Sequence, residues 1–175
     1  MFYISALYKF YKIANPNEMH NEIRKQFYDL NIKGTILVGN EGINGTISSQ
    51  SFSDLDSAIE FIKSYQGLKD IDLKYSESEV NPFVRLKIKL KKEIVTIGDE
   101  SINPNHISGE YVDPNNWNKL ISDKNVITID TRNSYECSIG TFENSINPGT
   151  TKFREFPEWL EAQNFSNKDK KNKKI

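Results

Sequence analysis

The sequence predicts an α+β protein in two parts, and three observations carry that reading. Through residues 1–92, short β-branched runs and helical stripes follow one another as β-α-β-β-α-β, the split βαβ order of ferredoxin-like domains. Thr96 to Tyr111 then turns rich in Gly, Asn, Pro and Ser, which marks a linker drawn at 93–111. Residues 112–175 restart with a helix signal and a buried-strand signal, so a smaller α/β domain is expected there.

Phe2 to Phe10 is apolar and aromatic, a first strand. Asn15-Pro16-Asn17-Glu18 supplies a cap, a proline for the first helical position and an acid for the first turn. Met19, Ile23, Phe27 and Leu30 make one apolar stripe along the helix that follows, with Asn31 as its C-terminal signal. Lys33 to Val38 and Ile43 to Ser48 read as strands joined through Gly39-Asn-Glu-Gly42, a hairpin, with Gly45 marking a bulge or a close backbone approach. Ser51 or Ser53 caps a second helix whose stripe is Leu55, Ile59, Ile62 and Tyr65, and Gly67 ends it. Ile71 to Tyr75 is the next strand. From Phe83 to Val95, Leu86, Ile88 and Leu90 alternate with Arg85, Lys87, Lys89 and Lys91, one apolar face and one basic face. In the second part, Asp113-Pro114 starts a helix with Trp117, Leu120 and Ile121 on its apolar side. Val126 to Ile129 reads as a buried strand ending in Asp130, Tyr135 opens a helical turn, Glu158 to Gln163 is helical, and the end from Asn167 to Lys174 is polar and basic.

At 37% hydrophobic and 11% aromatic, the 175 residues can bury cores, which argues against general disorder. A net charge of −1 predicts neither nucleic-acid nor membrane binding for the chain as a whole, so any basic surface is local. No apolar run approaches the roughly 20 residues of a membrane span, and Met1 leads into no signal peptide. The one cysteine, Cys137, allows no internal disulfide and fits a reducing compartment. A cytoplasmic protein without membrane contact is expected.

Five residues, Arg85, Lys87, Lys89, Lys91 and Lys92, form the candidate RNA contact, because a row of cations without interspersed acids neutralises phosphates. The same row also fits a solvated strand face or an edge protected by lysines. Asp130 and Arg132 stand at a strand's carboxyl end, where ligands gather in open α/β sheets; they fit better still a pair that only braces the turn, Asp130 capping the next helix and Arg132 bonding to Asp130 or Glu136. Cys137 lacks the neighbouring cations that stabilise a thiolate and fits a packed thiol better than a nucleophile. His20 and His106 are distant, no spacing suits a metal, and no metal or cofactor is expected in this chain. Gly39-Asn-Glu-Gly-Ile-Asn-Gly45 lacks the lysine and following helix of a phosphate loop, so its glycines serve the turn.

Phrases along most of the chain resemble the N-terminal part of the rhodanese-related tRNA uridine hydroxylase family. They are Lys33-Gly-Thr-Ile-Leu-Val38, Glu41-Gly-Ile-Asn-Gly-Thr46, Arg85-Leu-Lys-Ile-Lys-Leu-Lys-Lys-Glu-Ile-Val-Thr96, Gly109-Glu-Tyr-Val112, Ile129-Asp-Thr-Arg-Asn133 with Tyr135-Glu136, Ile139-Gly-Thr-Phe142, and Phe153-Arg-Glu-Phe-Pro157. The resemblance implies a ferredoxin-like, acylphosphatase-like domain followed by a rhodanese-like α/β domain, here incomplete. It also implies tRNA as partner and oxygen-dependent formation of 5-hydroxyuridine at the wobble position, with molecular oxygen as co-substrate. The family's Cys-Thr-Gly-Gly-Ile-Arg loop is expected beyond Ile175, so the resemblance assigns this chain no catalytic residue. It leaves the chain inactive alone, with the C-terminal rhodanese portion as a further partner. It carries over Asp130 and Arg132 as scaffold of the active-site side, and Arg85 with the neighbouring lysines as tRNA contacts. Two other readings stand beside it: a non-enzymatic RNA- or protein-binding module, and a sulfurtransferase using Cys137.

Overall fold

The computed structural model describes residues 1–98 and 109–163. The chain divides into two compact units, one reaching Val95 and one holding the described residues from 109 onward.

In the first unit, β1 (Phe2–Phe10), α1 (Pro16–Asp29), β2 (Lys33–Gly39), β3 (Gly42–Ser49), α2 (Phe52–Lys63), β4 (Asp72–Ser78) and β5 (Leu86–Leu90) follow one another. The five-stranded sheet has the order β4-β1-β3-β2-β5. The first four strands are antiparallel neighbours in the ferredoxin-like arrangement, and β5 adds in parallel to β2.

Local chemistry sets the helices. The Asn15 side chain accepts from the Glu18 backbone N–H at 3.2 Å and Pro16 opens α1, while the Ser51 hydroxyl accepts from the Asp54 N–H at 3.2 Å and so caps α2. Asn31, just past α1, has φ +49, the left-handed geometry that asparagine tolerates at a helix end. Met19, Ile23 and Phe27 of α1 and Leu55, Ala58, Ile59 and Ile62 of α2 are buried. They pack on Leu7, Ile36, Val38, Ile43 and Ile47 of the sheet.

Gly45 is a close approach rather than a bulge. The register runs through it unbroken, from Leu7 on one side to Ile36 on the other. A Cβ there would stand 2.5 Å from the Thr35 carbonyl oxygen.

The connector between β4 and β5 joins opposite edges and therefore crosses the sheet. Ser48 Oγ donates to Asn81 Oδ1 at 3.0 Å beneath that crossing. The basic strand is shorter than its alternation suggests, Leu86–Leu90 instead of reaching Val95. After Leu90 the chain leaves the ladder and is held by the hairpin tip: Glu41 Oε1 accepts from Ile94 N–H, and Asn44 Nδ2 donates to Ile94 O at 3.1 Å. Ile94 is thereby buried to 2% exposure, as part of the first unit. The linker expected over 93–111 starts inside this clamp, and its residues 99–108 lie outside the described residues.

The second unit contains α3 (Pro114–Ile121), α4 (Ser134–Ile139), a 3-10 turn (Phe153–Glu155) and α5 (Phe156–Ala162). Asp113 caps α3 by accepting from Asn115 N–H at 2.8 Å. Residues 126–129 do not form the expected strand: Ile129 makes one isolated parallel bridge to Ile146. A strand needs a ladder on at least one side, and among the described residues of this unit only residues 128–130 and 146 supply such bonds. The basic end from Asn167 lies outside the described residues.

Phe27 is fully buried and its neighbour Tyr28 is 84% exposed. Phe27→Ala is expected to cost about 3–5 kcal/mol by loss of transfer energy and creation of a cavity. Tyr28→Ala is expected to stay within about 0.5 kcal/mol. Urea denaturation followed by circular dichroism measures both.

Candidate nucleic-acid interface

The residues buried under the helices fix the phase of every strand. Leu86 and Ile88 pack against the core with Ile36 and Ile43, so Lys87 and Lys89, one residue out of phase, project from the other face, which is helix-free among the described residues. Both are exposed.

The register extends this into cross-strand rows. Lys87 pairs with Thr35, Thr35 with Thr46, Thr46 with Ala6, and Ala6 with Lys74 at the far edge. Lys89 heads the next row, through Leu37, Asn44 and Tyr8 to Asp72, the one acid in these two rows. Lys33 sits on the same face, paired with Ser48. The rings of Tyr8 and Phe10 meet edge to face at 5.2 Å between centroids on that side of β1. Lys33 and Lys74 are members of this surface that the sequence did not single out; they lie far from the lysine run along the chain, and only register brings them together.

Arg85 and Lys91 flank the strand. Arg85 O accepts from Gly34 N–H at 3.3 Å, Lys91 N–H donates to Val38 O at 2.9 Å, and both side chains are exposed. Lys92 is exposed as well but falls out of the period-two row. The glycine-rich tip does structural work. Its Asn40 and Glu41 carbonyls accept from Ile13 and Tyr11 N–H, both at 2.9 Å, and its side chains hold Ile94. His20 sits at the opposite side of β5, with Nε2 3.3 Å from Ile88 O. His106 lies outside the described residues.

A model of the UPF0176 acylphosphatase-like domain matches residues 2–94. The chain belongs to the UPF0176 family. Among solved structures, the chain is similar to an acylphosphatase from Bacillus subtilis at 14% identity, covering 51% of this chain and 99% of that one with a TM-score of 0.40. It is similar to an acylphosphatase from Coxiella burnetii at 8% identity, 50% and 90% coverage and a TM-score of 0.35. It is also similar to full-length HypF at 19% identity and a TM-score of 0.38, where the match covers 51% of this chain and 12% of HypF. The acylphosphatase-like, ferredoxin-like fold of the UPF0176 domain rests on the family match and on its strand order.

Beyond the UPF0176 domain, Asp130 and Arg132 form a closed corner. Arg132 Nε donates to Asp130 Oδ1 at 2.9 Å and Nη2 to Oδ2 at 2.6 Å. Nη2 also reaches Gly140 O at 2.7 Å, and Thr141 Oγ1 donates to Asp130 Oδ2 at 2.8 Å. Asp130 therefore ties residues 130–141 together and does not cap α4. The N-cap position is Asn133, whose backbone N–H and side-chain amide both donate to Glu136 Oε2. Arg132 bonds to Asp130, not to Glu136. Hydrogen bonds from the Arg132 guanidinium hold the Asp130 carboxyl well below the usual carboxylate range, and Thr141 adds to the shift. Cys137 is buried at 7% exposure with Sγ 3.8 Å from Arg132 O. Burial pushes its thiol up, and the Asp130 carboxylate pushes it further. A thiol so placed stays protonated at neutral pH, the opposite of an activated nucleophile.

Because the folded-state pKa of Asp130 is depressed, its contribution to stability is present above the unfolded value of about 3.9 and is lost as pH falls below it. Trp117, packed on Phe142 at 5.0 Å in the same unit, reports on this. Tryptophan fluorescence of Asp130→Asn, from Trp117 and Trp159 of this unit, is expected to show lower stability at pH 7 and a flatter acid dependence below about pH 4 than the wild type. Equal acid profiles contradict the role assigned to this pair.

Proposed function

We propose that the chain supplies the RNA-handling part of a tRNA-modifying enzyme that forms 5-hydroxyuridine at the wobble position in an oxygen-dependent reaction. The single observation that carries this reading is the projection of Lys87 and Lys89 from the helix-free face, in register with Lys74 and beside Lys33. Fixed cations spaced across a strand ladder suit phosphates of a folded RNA, and side-chain amides, hydroxyls and rings lie between them for bases and sugars. Arg85, Lys91 and Lys92 extend the basic surface along the chain. Membership of the UPF0176 family, together with the motif resemblance, supports tRNA as the RNA.

Asp130 and Arg132 serve this function as a brace on the active-site side of a rhodanese-like unit. Their mutual hydrogen bonds consume the charge that would otherwise hold a substrate anion. The sulfur chemistry is not assigned to Cys137, whose thiol is buried and protonated. Molecular oxygen is the co-substrate that the reaction requires, and no residue is assigned to bind it.

A second reading, a non-enzymatic RNA-binding module, is favoured by one observation: the described residues contain no activated thiol. Two measurements separate and test these readings. The Lys87→Glu/Lys89→Glu double variant is expected to bind tRNA at least about tenfold more weakly and to lower the slope of log K against log salt by about two. Unchanged binding removes the basic face from the function. Deletion of the gene is expected to abolish 5-hydroxyuridine in tRNA hydrolysates by mass spectrometry. Unchanged levels with RNA binding intact leave the module.

A further inference from the structure

We propose that the groove between α1 and the outer edge of β5 receives an acidic, extended peptide segment, which adds to the sheet as a sixth strand. Gly34 N–H donates to Arg85 O and Lys91 N–H donates to Val38 O. Odd-numbered residues of this stretch thus turn their backbone groups toward β2, and Leu86, Ile88 and Leu90 turn theirs outward. Among the described residues, one side chain bonds to that outward row: His20 Nε2–H donates to Ile88 O at 3.3 Å. The other outward N–H and C=O groups alternate along the edge as they do where a strand accepts a partner.

The groove beside this edge encloses about 900 Å³, enough for several residues of extended chain. His20, Arg24, Lys33, Arg85, Lys87 and Lys89 line it, and among the described residues no carboxylate does. Tyr28 and Val84, 84% and 92% exposed, add apolar surface on its walls.

Charge and hydrogen-bond chemistry together select the occupant. A second copy of β5 brings the same lysines and is repelled. An RNA backbone satisfies the cations but sets phosphate oxygens against the outward carbonyls of Leu86 and Leu90. An acidic peptide strand offers donors to those carbonyls, acceptors to the N–H groups, and carboxylates to the lysines and Arg24. The lysines that guard the edge against indiscriminate pairing thus admit one class of partner.

The probe is a fluorescein-labelled octapeptide of alternating Glu and Val, titrated with the full chain by fluorescence anisotropy. Saturable binding is expected. Methylation of alternate backbone nitrogens of the peptide is expected to weaken it at least about tenfold, as removing strand hydrogen bonds requires. The alternating Lys–Val peptide is expected not to bind. Arg24→Glu, on the exposed side of α1 and outside the Lys87/Lys89 face, is expected to weaken peptide binding at least about fivefold and to leave tRNA binding unchanged. Absence of Glu–Val binding, or equal affinity of the N-methylated peptide, overturns the proposal. So does tRNA binding that itself depends on Arg24, which makes the groove a nucleic-acid site. Lys87 and Lys89 border both surfaces, so Arg24→Glu and the N-methylated peptide decide the groove while the tRNA affinity of the Lys87/Lys89 variant decides the helix-free face, and the two readings fail separately.

Discussion

The parallel pairing of β5 with β2 is the constraint on which the first unit's surface depends. A parallel neighbour cannot be reached by a tight turn, so the chain must travel from the β4 edge across the sheet before pairing begins. Once β5 is in place, burial of Leu86 and Ile88 under α1 fixes its phase. That phase sends Lys87 and Lys89 to the helix-free face and turns the backbone groups of Leu86, Ile88 and Leu90 to the outer edge, where His20 takes Ile88 O. One packing decision therefore creates both a cationic face and a polar edge, and a one-residue slip would put the lysines under the helices.

The Glu41 and Asn44 clamp protects that decision. By bonding both the N–H and the C=O of Ile94, it secures the chain just past β5 and satisfies two backbone groups that burial would otherwise strand. The conformation of the tip explains its glycines: Gly42 has φ +152, and a Cβ there would stand 2.1 Å from Lys9 O and 2.9 Å from Ile94 Cδ1. A motif that could be mistaken for a phosphate loop is thus the buckle of a strap.

The second unit is organised differently. Its order comes from polar closure around Asp130, with Arg132 and Thr141 donating to one carboxylate and Arg132 also donating to Gly140 O, and from aromatic packing such as Phe153 on Phe156 and Phe156 on Trp159. Ile139 and Phe142 remain exposed at 86% and 46%. Local capping and ion pairing shape a chain segment without laddering its strand, because backbone hydrogen bonds between strands require a neighbour that capping does not supply.

The sequence by itself determined the ferredoxin-like order of the first unit, its caps at Asn15 and Ser51 and its core stripes, because these depend on residues within a few positions of one another. It also determined the polarity of β5, since alternation of leucine and isoleucine with lysine is a local property. It misjudged residues 126–129, where a β-branched run signals strand propensity but pairing is a non-local matter. It left open whether Asp130 capped or bonded, and Glu41 and Asn44 gave no hint of Ile94, 53 and 50 positions away. Only the tertiary structure brought Lys33 and Lys74 onto the face of Lys87 and opened a groove beside Arg24, because register and edge position are set by which strands meet, and no single strand encodes its neighbours.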